Sequence, residues 1–246
     1  MSHLDQSSQC CKPNIIAAIP CYNTEPSIGD VVFSAKKHVD RVLVIDDGSG
    51  DGTEEVAKEA GAMVVSHGAN RGYGKAIKTC LREAETNAAD ILVVMDGDGQ
   101  HNPQEIPLLL EPLLKGEAQM VIGSRFLTDK VNMPHYRKFG IGVITFLFNV
   151  GSRTKVSDTQ SGFRAYSKEI IESFLLSEEG MSISIESLEE ARRNGVIIKE
   201  VPVSCAYSPS TLNLNAIRHG LNVAFSVVRI RLKHIFVSGN SKNEQT

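Results

Sequence analysis

The alternation of short apolar runs with helical patterns constrains the fold of this 246-residue chain more than any other feature. Each apolar run is bounded by polar or glycine-rich residues, as buried strands are. Strands are predicted at residues 14–19, 41–46, 62–66, 91–95 and 119–123, with helices between them. This alternation is typical of an α/β fold whose mostly parallel, Rossmann-like sheet carries helices on both faces.

Three polar loops directly follow predicted strands, at residues 20–23, 46–53 and 96–100. In sheets of this kind, ligands bind outside the carboxyl ends of the strands. The three loops are therefore expected to meet at one edge of the sheet and to form a binding site there.

The third loop, Asp96-Gly-Asp-Gly-Gln100, contains two carboxylates two residues apart. Residues i and i+2 of an extended segment point to the same side, so Asp96 and Asp98 can converge on one cation. Without a cation they repel each other, and one pKa is expected to rise. Taken alone, such a pattern is more often an ordinary polar loop.

Competing motifs do not fit the sequence. There is no GxxxxGK[ST] or GxSxG pattern. A calcium loop needs a glutamate at its twelfth position, where loops starting at Asp47 and Asp96 have Lys58 and Pro107. The remaining hypothesis is a Mg²⁺ or Mn²⁺ site with few protein ligands that bridges to substrate phosphates.

The second half of the chain is less regular. A helix is predicted at 134–151, with Arg137 near its start, followed by a polar loop at 157–164. Two further helices, at 167–176 and 185–194, precede a final strand at 196–203. The sequence shows no internal repeat and no Gly/Ser linker. It therefore predicts one domain over residues 14–205, preceded by a flexible tail at 1–13.

The last segment, residues 206–246, is predicted to be a basic tail containing an amphipathic helix at 215–236. Five basic residues and one acidic residue follow position 206, although the whole chain carries a net charge of −3. The helix suits a membrane surface, and equally the protein body or a homodimer interface. The net charge suggests no nucleic-acid partner.

The five cysteines lack zinc-ligand spacing, and their odd number argues against a disulfide framework. The N-terminus has no apolar signal core, and the apolar segment at 139–150 is too short to span a bilayer. The expected location is cytoplasmic, peripheral on the cytosolic face of a membrane.

Six motifs make a family resemblance specific. They are IPCYN (19–23), VIDDGSGDGT (44–53), NRGYGKA (70–76), VVMDGDGQHNP (93–103), GSR (123–125) and SDTQSGFRAYS (157–167). In order and spacing the chain resembles family 2 glycosyltransferases over residues 14–205. Within that family it resembles the dolichyl-phosphate mannosyltransferase group and its polyprenyl-phosphate relatives.

The resemblance implies a GT-A fold and an inverting transfer from a nucleotide sugar to dolichyl or polyprenyl phosphate. Mannose, glucose and N-acetylglucosamine are all candidate sugars. By motif position, the implied nucleotide-sugar-binding residues are Pro20, Tyr22, Glu25, Asp46, Asp47, Asp96, Gln100 and Arg125. The implied ligands of Mg²⁺ or Mn²⁺ are Asp96, Asp98 and Gln100. The implied catalytic residues are Asp98, Arg125 and Asp158, and the acceptor-side residues are Arg137, Ser161 and Arg164.

Two alternative functions remain open. One is transfer to the hydroxyl of a saccharide or lipid-linked sugar, which needs a general base, with Asp98 or Asp158 as candidates. A phosphate acceptor needs none, because its second pKa is about 6. The other alternative is a non-catalytic nucleotide-sugar-binding subunit.

The chain departs from the family pattern at two places. Gly97 and Gly99 replace the bulkier residues common in this loop. The basic residue often found after the last strand is missing near Tyr207.

Overall fold

The computed structural model describes residues 12–129, 133–152 and 154–207. Its strands are β1 (Ile15–Cys21), β2 (Arg41–Asp46), β3 (Met63–Ser66), β4 (Ile91–Val94), β5 (Met120–Ser124), β6 (Arg164–Ser167) and β7 (Ile198–Pro202). Its helices are α1 (Glu25–Ala35), α2 (Thr53–Glu59), α3 (Tyr73–Thr86), α4 (Ile106–Leu114), α5 (His135–Asn149), α6 (Lys168–Ser173) and α7 (Ile183–Arg193). A short 3-10 helix, Pro103–Glu105, precedes α4.

The strands form one seven-stranded sheet in the order β3-β2-β1-β4-β6-β5-β7. Strand β1 pairs in parallel with β2 on one side and with β4 on the other, so the direction of strand succession reverses between β1 and β4. Such a reversal opens a crevice at the carboxyl ends of the two strands, where doubly wound sheets bind ligands. The site predicted from the strand-end loops is placed at this crevice.

Alternate residues of β1 serve two hydrophobic cores, as the pleat of a strand requires. Ile16 and Ala18 pack into the core that contains α3, α5, α6 and α7 residues. Ile15, Ala17 and Ile19 face the core beneath α1, α2 and α4. The prediction of a mostly parallel sheet covered on both faces is confirmed.

Strand β6 is absent from the sequence prediction, which has a polar loop up to residue 164. It is antiparallel to both β4 and β5, with Arg164 opposite Val94 and Ile122. Its four residues, Arg-Ala-Tyr-Ser, are too few to show a strand period. The partner strands on either side determine this conformation.

Several helix ends also differ from the prediction, although the helices predicted within the described residues are present. Helix α6 covers only Lys168–Ser173. The side chain of Asn102 caps the 3-10 helix, because it accepts a hydrogen bond from the Gln104 amide. No helix of the described residues is long and apolar enough to cross a membrane. The helix predicted at 215–236 lies outside the described residues.

Arg164 has a structural environment that differs from its expected place on the acceptor side. It is 3% exposed, and its guanidinium points into the protein. It donates hydrogen bonds of 2.7 to 3.0 Å to the carbonyls of Thr159, Ser161 and Ser184 and to the hydroxyl of Ser187. These bonds tie the loop before β6 to α7, which indicates a structural role for Arg164.

Replacing Arg164 by methionine is expected to lower the free energy of unfolding by about 3 kcal/mol, because buried carbonyls lose their donors. Urea unfolding measures the change. Arg193→Met on α7 is the matched control, since the Arg193 side chain is 48% exposed, and it should change stability little. Unchanged stability with a selectively raised acceptor KM would instead support an acceptor-side role for Arg164.

Candidate active site

A cleft of about 360 Å³ opens at the carboxyl ends of β1 and β4. The loops after β1, β2 and β4 form its walls together with the start of α3. Five residues expected at the site from the sequence line it: Pro20, Tyr22, Asp47, Asp96 and Asp98. The convergence of the three strand-end loops is therefore present in the structure.

Asp47 is held in place by the chain segment before α3. Its carboxylate accepts hydrogen bonds from the Arg71 and Gly72 amides at 3.0 and 2.8 Å. It also lies 2.7 Å from Nδ1 of His67, whose Nε2 is 3.0 Å from the Thr79 hydroxyl. These contacts fix the carboxylate at the cleft wall before any ligand arrives.

Asp46 and Glu25 support neighbouring loops and are not among the cleft residues. The Asp46 carboxylate accepts hydrogen bonds from the Ser49 amide and the Ser66 hydroxyl at 3.1 Å each. Glu25 accepts one from the Gly52 amide at 2.9 Å. Both residues shape the loop after β2, so the geometry gives them an indirect role at the cleft.

Asp96 lies at the centre of the site. Its Oδ1 accepts a hydrogen bond from the Tyr73 hydroxyl at 3.2 Å, and its Oδ2 lies 3.5 Å from Nε2 of His101. Burial favours the neutral acid, but the contacts with His101 and Tyr73 and the charge of Arg125 outweigh it and lower the pKa of Asp96. Asp96 is thus kept ionised at neutral pH.

The pKa of Asp98 shifts in the opposite direction to that of Asp96. Burial and the nearby Asp96 charge raise the pKa of Asp98, although hydrogen bonds from Gln100 oppose them. The Gln100 amide and side-chain nitrogens lie 3.0 and 2.5 Å from the Asp98 carboxylate. One pKa of the pair rises as the sequence predicts, but burial is the larger cause and repulsion from Asp96 the smaller, and a bound cation would offset both.

The donor set at this loop fits a magnesium or manganese ion. Such ions take one or two protein carboxylates and fill their other positions with water and substrate phosphate oxygens. Asp96 and Asp98 would supply the carboxylates, and Gln100, whose side-chain nitrogen lies 2.5 Å from Asp98, would add its amide oxygen. Within residues 12–129, 133–152 and 154–207, no group of three or more His, Cys, Asp or Glu side chains is arranged to hold a metal ion.

The two glycines of the loop, Gly97 and Gly99, are required for different physical reasons. A Cβ on Gly97 would lie 2.4 Å from Sγ of Cys21, so no side chain fits there. Gly99 has φ of +75°, a left-handed conformation that L-residues rarely adopt. A third glycine, Gly162, leaves room for the carboxylate of Asp96, which would lie 2.5 Å from an added Cβ.

Arg125 and Asp158 form a buried ion pair beside the cleft. Nε and Nη2 of Arg125 donate to the two carboxylate oxygens at 2.7 and 2.8 Å. Burial opposes the charge of Arg125, but its bonds to Asp158 dominate and raise its pKa. Glu200 on β7 accepts hydrogen bonds from the Ser157 and Asp158 amides at 2.7 and 3.1 Å and so positions the loop. The position of the Asp158 loop therefore depends on the far edge of the sheet.

The three residues expected on the acceptor side differ in their placement. Arg137, on α5, lies over the ring of Tyr207, with 5.4 Å between Cζ and the ring centroid. The hydroxyl of Tyr207 accepts a hydrogen bond from Nη1 of Arg125 at 2.8 Å, which links the two arginines. Ser161 is buried, and its hydroxyl accepts from the Phe163 amide at 3.2 Å. Arg125 and Arg137 are thus brought together, whereas Ser161 and Arg164 face the protein interior.

Three side chains at the site carry roles that the sequence motifs alone do not assign. Tyr73 contacts Asp96, His67 contacts Asp47, and Tyr207 contacts Arg125. Tyr73 lies within the motif NRGYGKA, so the family pattern itself could indicate that this residue belongs to the site. His67 and Tyr207 lie outside the motifs and become visible only through their contacts.

Comparison with known proteins identifies the family. The family described as Glycosyl transferase family 2 matches residues 16–175. The chain belongs to glycosyltransferase family 2. It has the GT-A fold of such enzymes, with the cleft and the Asp96 loop at the place where the strand order reverses.

Among the relatives of this glycosyltransferase is a UDP-N-acetylglucosamine–dolichyl-phosphate N-acetylglucosaminyltransferase of Methanococcus voltae. It is 34% identical over 221 residues, which cover 79% of this chain and 86% of the relative. A dolichol-phosphate mannosyltransferase of Pyrococcus furiosus is 31% identical, covering 75% of this chain and 54% of that protein.

The solved structures include glucosyl-3-phosphoglycerate synthase from Mycobacterium tuberculosis in complex with Mn²⁺, uridine diphosphate and phosphoglyceric acid. It matches with a TM-score of 0.70 and 25% sequence identity, over 88% of this chain and 78% of the other.

Introducing alanine at Gly97 is expected to destabilise the protein by about 1–3 kcal/mol, the usual cost of overpacking, and to displace the Asp96 loop. Combining it with Cys21→Ala removes the clashing sulfur and should restore stability and glycosyltransferase activity. Thermal unfolding and initial rates measure both. Gly180→Ala, at a site with open space, is the control. Equal impairment of the single and double variants would show that another contact requires Gly97.

Proposed function

We propose that this glycosyltransferase moves a sugar from a nucleotide-sugar donor to dolichyl or another polyprenyl phosphate, with inversion at the sugar carbon. The donor occupies the cleft beside Asp47, Asp96 and Asp98. The acceptor phosphate approaches from the side of Arg125 and Arg137. The enzyme works as a peripheral protein on the cytosolic face of a membrane.

The pairing of Asp158 with Arg125 carries this proposal. Transfer to a hydroxyl needs a carboxylate that is free to accept a proton. Both oxygens of Asp158 already accept hydrogen bonds from the Arg125 guanidinium, so Asp158 is poorly placed to act as a base. A phosphate acceptor is already anionic near neutral pH and matches the two cations on this side.

The protein groups divide the remaining work between binding and charge stabilisation. Pro20, Tyr22 and Asp47 form the wall that receives the nucleoside. Asp96, Asp98 and Gln100 would hold Mg²⁺ or Mn²⁺, which when bound would neutralise the charge of the leaving nucleoside diphosphate. The charge of Arg125 acts on Asp96, as its effect on the pKa of Asp96 indicates, so Arg125 can also stabilise that leaving group.

The names of the relatives support the same acceptor class with different sugars. The Methanococcus voltae enzyme is named for N-acetylglucosamine and dolichyl phosphate, and the Pyrococcus furiosus enzyme for mannose and dolichol phosphate. The Mycobacterium tuberculosis structure contains phosphoglyceric acid instead. A small phosphorylated acceptor is therefore the appropriate comparison in an assay.

Incubation with radiolabelled GDP-mannose, UDP-glucose or UDP-N-acetylglucosamine tests the reaction. With dolichyl phosphate and Mg²⁺ or Mn²⁺, one donor is expected to give a chloroform-soluble, mild-acid-labile product, because the sugar becomes linked to a lipid phosphate. Dolichol without the phosphate and 3-phosphoglycerate are the control acceptors. Product only with 3-phosphoglycerate, or no lipid product from any donor, would contradict the proposal.

The same assay distinguishes an enzyme from a nucleotide-sugar-binding subunit through Asp98→Asn. This variant should bind the donor but turn it over at least about a hundredfold more slowly, the scale of losing one transition-state charge contact. Equilibrium binding of the labelled donor is the control for an intact cleft. Wild-type donor binding without turnover under any condition would support the binding-subunit alternative.

Helix α5 supports a lipid acceptor through its exposed apolar residues. Phe139, Val143 and Phe146 are 75%, 41% and 68% exposed, and their spacing places them on one face of the helix. Arg137, at the start of the same helix, belongs to the proposed acceptor side. An apolar face next to a cation suits the boundary between lipid headgroups and acyl chains. We therefore place the membrane surface on this side of the enzyme.

Replacing both Phe139 and Phe146 by serine is expected to reduce binding to vesicles of mixed anionic and zwitterionic lipids by about tenfold or more, because apolar area is lost from the contact. Liposome flotation measures the bound fraction. Phe33→Ser on α1, where Phe33 is 62% exposed, is the matched control. A parallel truncation before residue 215 measures the contribution of the C-terminal segment. Unchanged flotation of the α5 variant would place the membrane contact elsewhere.

A further inference from the structure

Tyr207 occupies a position that no motif assigns, five residues after the end of β7. Its hydroxyl accepts a hydrogen bond from Nη1 of Arg125 at 2.8 Å. The face of its ring lies 5.4 Å from Cζ of Arg137. One side chain thus contacts both arginines of the acceptor side, one through its polar atom and the other through its π system.

The two contacts hold the cations without neutralising them. An aromatic face attracts a guanidinium electrostatically but carries no net charge. A neutral hydroxyl likewise accepts a hydrogen bond without forming an ion pair. The carboxylate of Asp158 balances the charge of Arg125 through hydrogen bonds from Nε and Nη2. Arg137 is held by the ring of Tyr207. Positive charge therefore remains on the acceptor side.

The hydroxyl of Tyr207 stays protonated under working conditions. Burial is the main cause that raises the pKa of Tyr207 to about 12, and the charge of Arg125 opposes it only in part. The oxygen accepts from Arg125, and its own hydrogen faces the sulfur of Cys205, a weak acceptor that a phosphate oxygen can displace. A phosphate monoester offers acceptor oxygens that suit both this O–H group and the arginine N–H groups.

We propose that Tyr207 is a positioning residue that joins Arg125 and Arg137 into one binding unit for the phosphate headgroup of the acceptor. This inference rests on the proposed function, which supplies the phosphate monoester as the acceptor group. Tyr207 lies near the point in the chain where the family pattern often has a basic residue. It supplies no charge of its own and instead arranges the charges of two arginines that come from β5 and α5.

Substitutions at Tyr207 separate this role from a merely structural one. Tyr207→Phe keeps the ring under Arg137 but loses the bond to Arg125, and the KM for dolichyl phosphate should rise about three- to tenfold. Tyr207→Leu loses both contacts and should raise it about tenfold to a hundredfold. The KM for the donor should stay within about twofold in both variants. Tyr136→Phe, which removes a hydroxyl one residue from Arg137, is the control.

A double-mutant cycle tests whether the ring acts through Arg137. In an Arg137→Ala background, Tyr207→Leu should raise the acceptor KM no more than Tyr207→Phe does, because the ring has lost its partner. Equal effects of each Tyr207 variant with and without Arg137 would overturn the proposed link. So would a parallel rise of donor and acceptor KM, or a fall in stability with both KM values unchanged.

Inorganic phosphate provides a second probe that does not depend on turnover. Millimolar phosphate should raise the Tm of the wild-type protein, because a ligand that binds the folded state stabilises it. The shift should shrink in Tyr207→Phe and disappear in Tyr207→Leu. If the wild-type enzyme fails to glycosylate dolichyl phosphate but shows this pattern, the proposed function fails and the phosphate unit stands. If the enzyme glycosylates dolichyl phosphate but phosphate shifts the Tm of all variants equally, only the role of Tyr207 is refuted.

Discussion

The packing around the carboxylate of Asp96 is the contact on which the rest of this active site depends. One oxygen meets the Tyr73 hydroxyl at the start of α3, and the other lies near His101 and against Gly162. Elements from both sides of the sheet reversal thus fix a single charged group. Burying a carboxylate costs free energy unless partners compensate its charge, and these contacts supply such partners. It places a permanent negative charge where a cation and a diphosphate are proposed to bind.

The site divides into an anionic half and a cationic half, and different parts of the sheet support them. Asp47, Asp96 and Asp98 follow β2 and β4, in the half of the sheet that runs β3-β2-β1-β4. Arg125 follows β5, and its support comes from Asp158 and, through the Asp158 loop, from Glu200 on β7. The antiparallel strand β6 lies between the two halves. Arg125 is paired with Asp158 rather than with the carboxylates that are proposed to hold the cation, although its charge still acts on Asp96.

Much of this architecture follows from the sequence, and the failures have identifiable causes. The parallel core strands were predictable because each is a nearly continuous apolar run, and the converging loops followed from the rule that links such strands. Strand β6 was not predictable, since four mixed residues show no period and adopt strand geometry only between β4 and β5. The inward direction of Arg164 was equally hidden. A motif gives the position of an arginine, whereas its rotamer depends on carbonyl groups contributed by the distant helix α7.

The glycines of the Asp96 loop show how a departure from a family pattern is explained by a second residue. In the sequence, Gly97 only marks a departure from the bulkier residues common in this loop. In the structure it is tightly enclosed, because the sulfur of Cys21 fills the space that a Cβ would need. Burial raises the pKa of Cys21 to about 12, so the thiol remains neutral and acts as a packing group next to the carboxylates. Residues 21 and 97 therefore form one packing unit across β1 and β4. A substitution at either position has to be judged together with the other, since the volume they share determines where Asp96 and Asp98 point.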